Sequence, residues 1–184
     1  MQPIGLLMKE HRLIERMITL LETELQQSKK SLKIDTEFIK VAIDFFKTYA
    51  DRTHHGKEED ILFKSLSKKK LSEEHTRTMN QLLEEHKTSR ETIKKLHEAN
   101  IRYIQGYHSS IYEIHKELLQ LIKLYPQHIK TEDTQFFFPV MDYFTSKERD
   151  TILQEFFDFD KNIIHEHYSN LIEKQEKKII MNTS

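Results

Sequence analysis

Three glycines and three prolines are all that interrupt 184 residues. With so few places to turn sharply, the chain favours long helices over a sheet-rich fold. The apolar pattern agrees: Leu6, Leu7, Ile14, Ile18, Leu21 and Leu25 recur at the spacing of one helix face. Pro3 suits a first helical turn, and helix 1 is expected over about residues 4–28. "SKKSLKID" reads as a loop, after which Asp35 or Thr36 caps a second helix carrying Phe38, Val41, Phe45, Leu62 and Leu66. Ser72 starts a third helix that continues to the region of Gly106. Ser109 or Ser110 begins a fourth, with Ile111, Ile114, Leu118, Leu121 and Ile122 inward and a kink at Pro126. "TSKE" at 145–148 is a capping-box pattern opening a fifth, which "DFD" at 158–160 interrupts before it runs on to about Ile180. The expected fold is all-α: an antiparallel up-down four-helix bundle over residues 1–144, with a C-terminal helical extension, 145–184, packed on it.

The remaining composition excludes several functions. Lys and Arg number 29 against 30 Asp and Glu, so no basic excess points to nucleic acid. No cysteine is present, which removes disulfides, thiol catalysis and thiolate metal sites. No apolar run approaches the roughly 20 residues of a membrane span. The start, "MQPIGLLMKEH", lacks the basic-then-apolar layout of a signal peptide, and a cytoplasmic location is the expectation.

The chain repeats itself. "LMKEH" ending at His11 matches "LLEEH" ending at His86, and "HGKEED" at 55–60 matches "HIKTED" at 128–133, at offsets of 75 and 73 residues. Each half reads as one helical hairpin. A histidine and a glutamate four residues apart share a helix face, so His55 with Glu59, and His128 with Glu132, can each point at one spot. His54 with Glu58 competes for the first pair. Val41, Phe45, Thr48, Arg52, Glu59, Leu62 and Leu66 share the His55 face, mostly an apolar stripe, whereas Lys47, Asp51, Glu58 and Ile61 share that of His54, mostly a solvent stripe. The repeat also places Gln127 opposite His54 and Thr131 opposite Glu58. Both comparisons select His55 with Glu59 and leave His54 at the surface or behind the ligands. The expected site is therefore His11, His55, Glu59, His86, His128 and Glu132. Imidazole and carboxylate suit divalent iron, manganese or zinc, and burying six such groups with no metal would be costly. His75 and His97 lie about 16 Å along the helix from His86 and are ordinary histidines on this reading, as are His108 and His115. Glu15, four residues after His11, is read as a non-ligand because Arg90 takes the matching place.

The pattern His11, His55/Glu59, His86, His128/Glu132, with "YADRTHHGKEEDILF" at 49–63, resembles the hemerythrin-like family of HHE cation-binding domains, in its bacterial and archaeal form, over residues 4–142. The resemblance implies two non-haem iron ions bridged by carboxylates, and reactivity toward dioxygen or a related small molecule such as nitric oxide. The oxygen-carrying members place two histidines four apart on the third helix and end with an aspartate five residues after the last histidine. Here Leu82 and Arg90 flank His86, and Glu132 follows His128 at four. One imidazole is missing or supplied elsewhere, with Tyr49, Tyr125, His165, His167 or water as candidates. Three functions compete: a protein that binds, senses or scavenges the gas; a di-iron peroxide-decomposing or oxidase enzyme; and an iron-responsive regulatory or iron-repair module with a protein partner.

Overall fold

The computed structural model describes residues 2–160 and 163–183, and among these it contains six helical rods and no strand. α1 is Pro3–Ser31, opened by its proline and closed where Leu32 adopts a left-handed φ of 53° and donates its N–H to the Ser28 carbonyl. The helix so consumes the first half of the expected loop. α2 spans residues 36–66. It begins as an α-helix, Thr36–Phe45, whose first N–H groups at Glu37 and Phe38 donate to the Asp35 carboxylate. It then widens into two π-helical stretches, Phe46–His55 and Glu58–Phe63, and ends as a short α-turn, Lys64–Leu66.

α3 is Glu73–Ile104, capped by Ser72, whose hydroxyl accepts from the His75 N–H. Gly106, at φ +96°, supplies the turn that follows. α4 spans residues 111–143: Ile111–Thr131 with Pro126 inside it, a π stretch Glu132–Phe136, and a tail that tightens to a 3₁₀ turn at Met141–Tyr143. Thr145 and Glu148 form the reciprocal capping box that opens α5, Ser146–Phe159. Asp160 ends that helix, and α6 is Ile163–Thr183.

α1 to α4 close a ring in which each packs on its chain neighbours and α4 returns to α1; α5 and α6 both lie on the α1/α2 side. The interior is layered. One apolar cluster, with Leu13, Met17, Phe45, Tyr49, Leu96, Leu118 and Tyr125, fills one end. A second, with Leu7, Leu62, Phe63, Leu82, Phe136, Phe137 and Phe156, fills the other. Between them lies a layer of buried polar groups contributed by all four bundle helices: Glu10 and His11, His54 to Glu58, His86, and His128 with Glu132.

Candidate metal centre

Two overlapping groups of donor atoms converge in that layer: His55, Glu58, His86 and His128 on one side, and His11, His54, Glu58 and Glu132 on the other. All seven side chains are buried. The layer brings together five of the six expected residues, His11, His55, His86, His128 and Glu132. The sixth is displaced. Glu58 reaches inward, with Oε1 3.3 Å from His54 Nε2 and Oε2 3.4 Å from His86 Nε2. Glu59 instead stays at the rim, accepting from His86 Nδ1 at 2.7 Å and from Arg90.

The cause is the π-helical backbone. Each π turn takes up more residues than an α turn, so neighbours stand closer in angle and both His54 and His55 face inward. The expectation that His54 lies at the surface or behind the ligands is overturned, since its exposure is 1% and it stands in one donor group with His11, Glu58 and Glu132. His55 is also inside, at 1%, as the second imidazole from one helical turn. Among the described residues, the other candidate donors lie outside the two groups. The Tyr125 hydroxyl is engaged with Ser89, the Tyr49 ring stacks on Phe45, and His167 is exposed beside Tyr168. The His165 side chain lies outside the described residues.

The layer has an approximate internal twofold. His54 matches His128, Glu58 matches Glu132, and Glu59 matches Asp133, all at an offset of 74 residues. Glu10 and His11 match Glu85 and His86 at 75. The two halves orient their histidines in the same manner, each with one bond reaching across to the other half and one staying within its own hairpin. His11 Nδ1 donates to Asp133 at 2.8 Å and His86 Nδ1 to Glu59 at 2.7 Å. His54 Nδ1 donates to Glu10 and His128 Nδ1 to Glu85, each at 2.7 Å. Such outer carboxylates fix the tautomer and aim the other nitrogen.

With the Nδ1 of His11, His54, His86 and His128 committed as donors, the neutral ring of each presents a lone pair at Nε2. Yet His11 Nε2 lies 2.9 Å from His54 Nε2, and His86 Nε2 3.2 Å from His128 Nε2. The carboxylate oxygens of Glu58 and Glu132, and both nitrogens of His55, have no hydrogen-bond partner among the protein atoms. Acceptors facing acceptors in a buried space repel unless a cation sits between them. The electrostatics follow. Burial depresses the His11 pKa, but Asp133 and Glu132 outweigh it and push the group up to about 9, so that a proton relieves part of the repulsion. Burial pushes His54 and His55 well down, aided by the neighbouring charges of His11 and Lys57 for the first and of His86 for the second. Burial, then the adjacent Glu132 charge, drives Glu58 well up. For Glu132 the burial effect is overcome by His128 and His11, and it is lowered. The donor set, five imidazoles and two carboxylates with unspent lone pairs, fits divalent transition metal.

The rim is sealed by ion pairs and rings. Arg90 ties Asp51 to Glu59, and Arg12 holds Asp133. Phe137 stacks on His11 at 5.7 Å and Phe63 on His86 at 6.2 Å. His75 bonds the Tyr143 hydroxyl and His115 bonds Ser28, both away from the layer. Glu15 pairs with Arg12 on the surface at 3.0 Å. An acid pair follows His54 (Glu58-Glu59) and His55 (Glu59-Asp60) alike at four and five residues, as Glu132-Asp133 follows His128, so the sequence carries no signal that separates the two registers.

Comparison with known proteins finds one agreement. The family model of the hemerythrin HHE cation-binding domain matches residues 2–140. No curated protein matches, and no solved structure does. No helix among the described residues is long and apolar enough to cross a membrane. The match covers the whole four-helix layer and its histidine–carboxylate cluster, and the chain belongs to the hemerythrin HHE cation-binding family.

Proposed function

We propose that this cluster holds two iron ions and that the protein binds, senses or scavenges dioxygen or a related small molecule such as nitric oxide. One observation carries the reading: two opposed pairs of Nε2 atoms flank two buried carboxylates whose oxygens make no hydrogen bond to the protein. His55, His86 and His128 would hold one ion and His11 and His54 the other, with Glu58 and Glu132 between them. Iron, when bound, supplies electron exchange with a small molecule.

The chain supplies the rest. Glu10, Asp133, Glu59 and Glu85 keep the protons on Nδ1 and aim the imidazoles inward. Phe63, Phe136 and Phe137, fully or nearly fully buried, exclude water from one flank of the layer. The His11/His54 side has one imidazole fewer and one carboxylate more than the other, so the two ions would sit in chemically different surroundings. The bundle and the C-terminal extension act as one cytoplasmic unit on this reading.

The test is metal content with absorption spectra recorded first under nitrogen and then in air. Two irons per chain and an oxygen-dependent charge-transfer band are expected. A protein that takes up no iron, or whose spectrum is unchanged by oxygen and by nitric oxide, refutes the reading.

A further inference from the structure

The four residues 55–58 alternate between two duties. His55 and Glu58 face the metal layer. Gly56 and Lys57 face the end of α5, beyond the last residue that the family model matches. A Cβ on Gly56 would lie 2.8 Å from Phe159 Cζ, so the absence of a side chain there is what admits the Phe159 ring. Lys57 is fully buried, at 0% exposure, and its ammonium lies between two carboxylates: Asp160 at 3.0 Å and Glu10. Glu10 in turn accepts from His54 Nδ1 through its other oxygen at 2.7 Å. A chain of charge thus runs from the extension to a histidine of the cluster: Asp160, Lys57, Glu10, His54.

The internal twofold provides a contrast. The residue matching Lys57 is Thr131, whose hydroxyl only bonds back to the Gln127 carbonyl. Glu85, the counterpart of Glu10, is held on its free side by the amide of Gln81, an exposed residue, at 2.8 Å. Arg12 and Arg90, which hold the other two outer carboxylates, are at the surface. Of the four outer carboxylates, Glu10 is the one held by a buried cation, and that cation is shared with the extension. A lysine buried this deeply stays in place only while it is paired. Loosening Asp160 therefore loosens Lys57, then Glu10, and finally the aim of His54.

We propose that Lys57 is a positioning residue for the His11/His54 half of the site and that Asp160 holds it there, so that seating of α5 and iron affinity are coupled. By linkage the coupling runs both ways: iron must also favour the seated extension. The inference rests on the iron-binding reading given above.

The experiment uses the full chain, titrated with iron(II) in competition with a chromophoric chelator, and follows amide exchange over residues 146–159 with and without iron. Wild type, Asp160→Asn, Lys57→Met and the double variant are compared, with helicity checked by circular dichroism. Asp160→Asn should weaken the less tightly held iron about tenfold and Lys57→Met by about ten- to a hundredfold, the range for outer partners of a ligand. The double variant should be no worse than Lys57→Met alone, since Asp160 acts through Lys57. Iron should slow exchange in 146–159 in wild type and not in Asp160→Asn. If Lys57→Met does not fold, Asp160→Asn and the exchange data decide the matter. Wild-type iron uptake with an unchanged Asp160→Asn, or losses that add in the double variant, overturns the coupling alone. Absence of iron uptake by wild type overturns the metal reading and the coupling with it.

Discussion

Exchanging Glu58 or Glu59 for glutamine separates two neighbouring carboxylates that have opposite effects. Glu58 is fully buried, its oxygens lack hydrogen-bond partners, and burial together with Glu132 raises its pKa. In the metal-free protein it is a liability. An unsatisfied buried polar group costs about 1–3 kcal/mol, more when charged. A glutamine of the same shape can donate its amide to Glu132, so Glu58→Gln should stabilise the apo-protein by about 2 kcal/mol. For a chain of this size that raises Tm by roughly 4–8 °C. The same substitution removes the anionic oxygens that reach both histidine sets, at 3.3 and 3.4 Å, and iron uptake should collapse. Glu59→Gln should act in the other direction on the apo-protein. It breaks a half-exposed ion pair with Arg90, worth at most about 1 kcal/mol, and lowers Tm slightly. Iron should still bind, about ten- to a hundredfold more weakly, because only the orientation of His86 is lost. Calorimetry of the metal-free variants and chelator competition with iron(II) measure the two effects. If Glu58→Gln retains two irons and Glu59→Gln loses them, the placement of Glu58 between the histidine sets is wrong.

Three further outcomes are expected. His55→Ala should lower iron stoichiometry from two toward one and also destabilise the apo-protein, since it empties a buried site where the ring stacks on His86 at 3.8 Å; atomic absorption after desalting reads the ratio, and an undiminished ratio removes His55 from the ligand set. Gly56→Ala gains roughly 1 kcal/mol of helix propensity at a φ of −58° but displaces Phe159, so Tm should barely move while amide exchange in 146–159 rises several-fold. The apo-protein should be most stable near pH 6.5. His54, His55 and His86 have depressed pKa values, so below about 6.5 the unfolded chain binds more protons and stability falls, by up to about 1.4 kcal/mol per pH unit for each. His11, raised to about 9, contributes stability that is complete below 6.5 and lost as pH rises to 9. Denaturant melts from pH 5 to 9 give the curve, and a monotonic rise from 5 to 9 would contradict it.

The fold was readable because each of its signals is local. Scarce glycine and proline, caps at Asp35, Ser72 and Thr145, and the stripe on α1 each act over a few residues, and all agree with a bundle. The site was readable in its helices and not in its phase. Choosing between Glu58 and Glu59 took an α-helical face as given, and a change of turn width leaves no mark in hydrophobic spacing. The stripe of Val41, Phe45 and Leu62 runs through two π stretches, so faces counted at α-helical spacing on one side of them do not carry to the other. Nor does the role of Lys57 show in the sequence. Its partners Glu10 and Asp160 lie 47 and 103 residues away, and a lysine in a charged stretch reads as solvated until packing buries it.

The departures from the internal twofold locate what a strict duplication would not provide. Two identical hairpins would give two histidines and one bridging carboxylate each, and two equivalent metal positions. This chain breaks that equality at two positions of one hairpin, two residues apart. His55 stands where the other half has Ile129, and Lys57 where it has Thr131. The first gives the His86/His128 side three imidazoles and one carboxylate, against two imidazoles and two carboxylates on the His11/His54 side. The second places a buried cation behind His54, on the side with fewer imidazoles. On the proposed iron-binding reading, the cation and its tether to α5 therefore fall on the half where the aim of each imidazole has the larger consequence.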